Sequence, residues 1–192
     1  MEDVLVSINR SNQSNILEIN KTENIEIWKW ILETLLGYIK EIDILDIGID
    51  TIFLAFLLSE IGYRVKCIDH NIELLDIANK EALYRGLKID FLSSKIESLP
   101  FDEYSLDTIV TCNLTSLADA DKSFKGWYRV LKFGGTVLNF IKLDNNFYHD
   151  YISEHKFIIW FKNAGFKKIE TLRLPLELNN NVRPWVCIRC EK

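Results

Sequence analysis

The segment Asp43-Ile44-Leu45-Asp46-Ile47-Gly48 leads into the apolar stretch Phe53 to Ile61, and Val65-Lys66-Cys67-Ile68-Asp69 follows. A buried strand, a glycine turn, an apolar helix and a second strand ending on a carboxylate make a βαβ unit of the nucleotide-binding kind. No other feature constrains the fold as strongly. The turn is unusual, because two of the three glycines it normally carries are missing.

A chain of 192 residues, 48% apolar, is long enough to bury one sizeable core. We expect a single domain over 1–192, with an N-terminal segment and helix (1–40) ahead of an α/β core (41–192). No run of eighteen or more uncharged apolar residues appears. Met1-Glu2-Asp3 lacks the basic start of a secretory signal. The expectation is a soluble, cytoplasmic protein with no membrane partner. The net charge of −5 comes without a basic stripe, since Lys162, Lys167 and Lys168 are too few to make one, and this argues against a nucleic-acid partner.

Cys67 and Cys112 fall in apolar strand-like runs, where cysteine acts as a small hydrophobe. Cys187 and Cys190 make one CxxC within a strand-like segment, where positions three apart face opposite ways. A zinc site would need a second ligand pair, so no metal is expected.

From Asn24 onward, Ile27, Ile31, Leu35 and Ile39 recur at helical spacing with Trp28, Leu32 and Leu36 beside them; Trp30 lies off the stripe and reads as surface. Strands are predicted at 42–47, 64–69, 89–92, 106–112 and 136–141. Helices are predicted at 53–61, after the cap Asn71 and ending by Gly86, and at about 119–131. Alternation at this pitch means a parallel sheet covered on both faces. After a helix over 153–164, strands at 166–172 and 184–189 follow with no helix between them, so they close the sheet as an antiparallel hairpin. The expected fold is therefore α/β and Rossmann-like: a doubly wound, mostly parallel seven-stranded sheet.

Several motifs in register resemble those of the class I S-adenosylmethionine-dependent methyltransferases, over residues 25–192. Leu45-Asp46-Ile47-Gly48 is similar to the start of that family's first motif, and Asp69 stands where its ribose-binding acid ends the second strand. Ile96 to Phe101 resembles the AExLPF segment, and Leu106 to Val110 the FDxV strand. Tyr128 to Gly135 resembles the RVLKPGG turn, and Asn163 to Phe166 the AGF turn.

The resemblance implies S-adenosylmethionine as cofactor, held by Asp46, Gly48, Asp50, Asp69, His70 and Glu97. Asp69 would accept from the ribose hydroxyls, and His70 would lie against the adenine face or in an exposed loop. Asp50 either pairs with the ammonium or sulfonium of the cofactor or caps the following helix. Ile52 would place a β-branched side chain at a position of positive φ and crowd the site. Lys95, standing where relatives place an acid for the adenine amino group, has no acceptor to offer.

Methyl transfer needs a base only if the acceptor must lose a proton. The candidates are Asn113 as an orienting group and His149 or His155 as a base; the position where relatives carry a histidine is Ala118. Phe147, Tyr148 and Tyr151 would either line a small apolar cleft or seal the end of the sheet against solvent. Two functions are expected to compete: a small-molecule methyltransferase with a divergent cofactor loop, and an inactive methyltransferase fold that binds a partner protein.

Overall fold

The computed structural model describes residues 25–39, 42–48, 52–114, 117–143, 153–175 and 185–192. Its elements are α1 (Ile25–Tyr38), β1 (Asp43–Ile47), α2 (Ile52–Glu60), β2 (Arg64–Asp69), α3 (Ile72–Tyr84), β3 (Ile89–Ser93), β4 (Leu106–Cys112), α4 (Ala120–Val130), β5 (Leu131–Lys142), α5 (Glu154–Ala164), β6 (Lys167–Arg173) and β7 (Trp185–Glu191). The seven strands lie in the order β3-β2-β1-β4-β5-β7-β6. Strands β3, β2, β1, β4 and β5 pair parallel, while β7 pairs antiparallel with both β5 and β6 and so alone runs against the other six. The doubly wound sheet and its terminal hairpin are thus as the sequence pattern predicts.

The side-chain alternation of the strands divides the core into two layers. On one face Ile44, Cys67, Val110, Phe140 and Cys187 meet α1, α2 and α3. On the other, Leu45, Ile47, Ile109, Val137 and Cys190 meet α4 and α5. Cys187 and Cys190 therefore point to opposite sides, and all four cysteines are buried. Helix α2 is apolar nearly all round because it is enclosed nearly all round, from Ile52 to Leu58.

Trp30 corrects the surface reading given to it by periodicity. It is only 9% exposed and meets Phe140 edge-on with ring centroids 5.7 Å apart. Helix α1 is covered over more than its main stripe, so a position off the stripe is still enclosed.

Strand β5 begins five residues earlier than predicted, because α4 passes straight into extended backbone at Leu131. The register slips between Leu106 and Thr108, where β4 meets the Gly134-Gly135 turn. A side chain at Gly135 would bring its Cβ to 2.9 Å from the Lys132 carbonyl oxygen and 3.0 Å from that of Asp107, so only glycine fits. At the hairpin, Arg189 of β7 pairs with Glu170 and Glu191 and stacks 4.6 Å over the ring of Tyr38, tying the last strands to α1.

Candidate active site

In this strand order the winding reverses between β1 and β4. Ligands of open α/β sheets bind in the crevice outside the carboxyl ends of the strands at such a point. A cavity of about 430 Å³ lies there, bounded by Ile47, Gly48, Ile68, Asp69, His70, Ser94 to Glu97, Cys112 to Leu114 and Ala118. Its volume falls within the range of about 300–1,000 Å³ typical of small-molecule sites.

Gly48 leaves β1 at φ +108°, while its N–H donates to the Ile68 carbonyl at 3.0 Å. Nothing lies within 4 Å of where a Cβ would sit. Backbone geometry, not lack of space, demands glycine, and the bend presents main chain to the cavity.

Ile52 departs from its sequence-based expectation. It has no positive φ, begins α2, is 2% exposed, and packs in the core among Trp28, Phe53 and Leu54 rather than lining the cavity. The steric obstruction inferred from its place in the motif is absent: the chain is already helical at residue 52 and its side chain is in the core. Asp50 lies outside the described residues, as do His149, Phe147, Tyr148 and Tyr151.

Asp69 ends β2 and lines the cavity. Its Oδ1 accepts from the Asn71 N–H at 2.7 Å and lies 3.2 Å from His70 Nδ1. Asn71 in turn caps α3 by accepting from the Leu74 N–H at 3.1 Å. The carboxylate is thus fixed by the same turn that starts the helix, while the His70 side chain is 86% exposed over the cavity rim.

The β3 side is built by a second turn. Ser94 N–H donates to the Asp69 carbonyl at 3.0 Å, and Ser94 Oγ donates to the Ser98 carbonyl at 3.1 Å. Arg129 of α4 clamps the next segment, donating to the carbonyls of Phe101 at 2.8 Å and Leu99 at 3.0 Å. The Leu99-Pro100-Phe101 segment and the arginine of the Arg129-Val130-Leu131-Lys132 run are therefore one device. It sets Lys95, Ile96 and Glu97 against the cavity.

Asn113 follows β4 in the left-handed region at φ +55°, donating its N–H to the Phe140 carbonyl at 2.7 Å. Asparagine tolerates that conformation better than most residues. Its side chain is exposed at the cavity beside Ala118. His155 is exposed in the first turn of α5 and is not part of the cavity lining.

Asp46 sits beneath the Gly48 turn, on the same face of β1 as Ile44 and level with Cys67 and Val110. It is fully buried, and neither carboxylate oxygen has a hydrogen-bond partner. Burial alone drives its carboxyl well above the usual range. Burial also raises the neighbouring Cys67 thiol.

The structure therefore gathers Gly48, Asp69, His70, Glu97 and Asn113 around one cavity, with Asp46 one layer below. Ile68, Ser94, Cys112 and Leu114 also line it and were not singled out from the sequence. Their signal was positional, since each lies at or just beyond the carboxyl end of a parallel strand next to the switch point. Among the described residues no group of three or more His, Cys, Asp or Glu side chains is placed to hold a metal ion. No helix of the described residues is long and apolar enough to cross a membrane.

Comparison with known proteins agrees with this architecture. The model of the ubiE/COQ5 methyltransferase family matches residues 3–164. The chain belongs to that family, and with it to the class I S-adenosylmethionine-dependent methyltransferases. A ubiquinone/menaquinone biosynthesis C-methyltransferase UbiE of Rhodopseudomonas palustris is 33% identical over 92 residues, covering 46% of this chain and 36% of the relative. The alignment thus spans little more than a third of that relative's length.

Among solved structures, the PH0226 protein of Pyrococcus horikoshii superposes with a TM-score of 0.75 at 16% identity, covering 91% of this chain and 93% of that one. A Haemonchus contortus phosphoethanolamine N-methyltransferase 2, solved with phosphomonomethylethanolamine and S-adenosylhomocysteine, superposes with a TM-score of 0.69 at 17% identity, over 86% of this chain and 53% of its own. At such identities these structures speak for the fold.

The residues present fit the cofactor this family implies. The cavity offers main chain at the Gly48 bend and a carboxylate at the end of β2, with an unpartnered carboxylate beneath. An adenosyl ligand with hydroxyls and cationic groups needs acceptors of this kind.

Proposed function

We propose that this protein is an S-adenosylmethionine-dependent methyltransferase acting on a small molecule. The observation that carries this reading is the open cavity at the switch point, with Asp69 on its wall and Gly48 at its floor. Asp69 would accept from the ribose hydroxyls, and Gly48 would let the methionine portion approach the backbone. His70 and Glu97 would flank the adenosine. When bound, the cofactor supplies a methyl group already activated on a sulfonium. What remains for the chain is to hold and align the two partners and to keep water out, which by itself supplies much of the acceleration.

The acceptor side is open to the same reasoning. Asn113 projects from the end of β4 into the cavity, where its amide would orient an acceptor. By likeness to a relative named for C-methylation in ubiquinone and menaquinone biosynthesis, we propose a small-molecule acceptor methylated on carbon. Such an acceptor loses a proton, for which His149 is the remaining candidate base, His155 lying away from the cavity lining.

The test is direct. Titrating the protein with S-adenosylmethionine or S-adenosylhomocysteine should raise its melting temperature progressively, by about 2.7 kcal/mol of stabilisation at a hundredfold excess over Kd. Asp69→Ala should weaken that binding about tenfold or more, the equivalent of about 1.4 kcal/mol. No shift at millimolar ligand would instead favour a methyltransferase fold that serves only as a binding module.

A further inference from the structure

Asp46 is the one described carboxylate that is fully buried with both oxygens unpartnered. An isolated carboxylate in such a place costs so much solvation that it takes up a proton instead. The described groups around it offer no countercharge. From β2 it faces the Cys67 thiol, with the Asp69 carboxylate two residues further along; from β4 it faces Val110. Helix α2 presents only the apolar run Ile52 to Leu58 to the core, and α1 adds Trp28, packed on Phe53 at 4.2 Å. Yet the residue stands two positions before the Gly48 bend, whose backbone opens on the cavity.

We infer that Asp46 is uncharged in the free protein and gives up its proton to solvent when a cationic ligand settles at the β1 turn, so that each ligand bound expels one proton. The inference rests on the reading of the cavity as a site for an adenosyl amino acid, whose ammonium is the cation concerned. The balance is simple: a neutral carboxylic acid and an ammonium become a carboxylate facing that ammonium, and the proton leaves to water. No covalent bond forms or breaks apart from the O–H. Asp46 then acts as a countercharge that costs nothing electrostatically until a cation arrives.

The linkage can be counted. Calorimetric titration of the full chain with S-adenosylhomocysteine near neutral pH, in two buffers of different ionisation enthalpy, should report close to one proton released per ligand. Affinity should tighten roughly tenfold per pH unit over the range in which Asp46 remains protonated in the free protein. Asp46→Asn should bind without releasing a proton and lose that pH dependence. 5′-Methylthioadenosine, which lacks the amino-acid ammonium, should release none from either protein. If the variant does not fold, infrared difference spectra of the unaltered protein decide the matter, because a protonated carboxyl band should vanish on binding. Binding with no proton release, or with equal release from Asp46→Asn, overturns the inference while the methyltransferase reading stands. No binding in any buffer overturns both.

Discussion

Two aspartates three residues apart on β1 lead opposite lives. Asp43, at the amino end of the strand, accepts a two-pronged pair from Arg64 at 2.8 and 2.7 Å. Its own N–H donates to Asp107 Oδ2 at 3.1 Å, and Lys132 bridges to Asp107 at 2.7 Å. Asp46, near the carboxyl end, has no partner. Partial burial by itself raises the Asp43 carboxyl, but Arg64 and Lys132 outweigh it and hold the group below the usual range. Burial without compensation raises Asp46. One edge of the sheet is electrostatically closed; the other keeps an unmet demand where the cavity lies. A buried group left unsatisfied lowers stability, so the site end is where this fold departs from its most stable arrangement.

The largest expected effect tests whether Ile52 belongs to the core or to the site. Ile52→Ala should destabilise by about 2–5 kcal/mol in chemical denaturation, the usual cost of truncating a buried branched side chain. It should not tighten S-adenosylhomocysteine binding. A variant of unchanged stability and higher affinity would restore isoleucine as an obstruction in the cavity.

Asp46→Asn should act in the opposite sense on stability. Because the folded carboxyl binds its proton more tightly than the unfolded one, the folded state carries more protons at intermediate pH. Stability contributed by this group is fully present below the ordinary carboxylate pKa and is lost as pH rises toward the raised one. Removing the titration should therefore stabilise the free protein near neutrality, with a smaller gain in acid. Melting curves at several pH values would show it; a variant no more stable at neutral than at acid pH, relative to the parent, would falsify the unpaired state.

At the closed edge, Asp107→Ala removes the acceptor of the Asp43 N–H and leaves Lys132 only its longer contact to Asp43 Oδ2 at 3.5 Å. A loss of about 1–3 kcal/mol is expected. Ligand affinity should stay within about twofold, since site and network lie at opposite ends of the strands. Asp43 gives the reverse pH signature to Asp46: with its folded pKa depressed, its contribution is present above the ordinary carboxylate range and is lost as pH falls through the lowered value.

The smallest effect is at Asn113, held at φ +55°. Asn113→Ala should cost about 1 kcal/mol from backbone strain, whereas Asn113→Gly should cost little or nothing. If methyl transfer falls sharply in both variants while cofactor binding is unchanged, the amide has the acceptor-orienting role proposed for it.

Much of the site was legible because it consists of strand ends. Gly48, Asp69 and Asn113 each stand at the carboxyl end of a strand whose apolar run is plain in the sequence, and the parallel order brings such ends to one edge. Ile52 was misplaced for a different reason. A motif fixes spacing along the chain, but whether the second and third positions still belong to the turn depends on where the helix begins. Here α2 has begun by Ile52, and its side chain joins the core. Trp30 failed similarly, because helical periodicity identifies the most buried stripe without revealing how much of the remaining surface a neighbour covers.

The sequence by itself determined the order of strands and helices, the reversed hairpin at the end and the carboxylate closing β2. These follow from local periodicity, turn chemistry and the need of parallel strands for crossovers. Only the tertiary structure decided that Asp43 is neutralised and Asp46 is left alone. Partners for a charge come from strands and helices distant in the chain: Arg64, Asp107 and Lys132 converge on one end of β1, while among the described residues Asp46 is flanked by the Cys67 thiol and Val110.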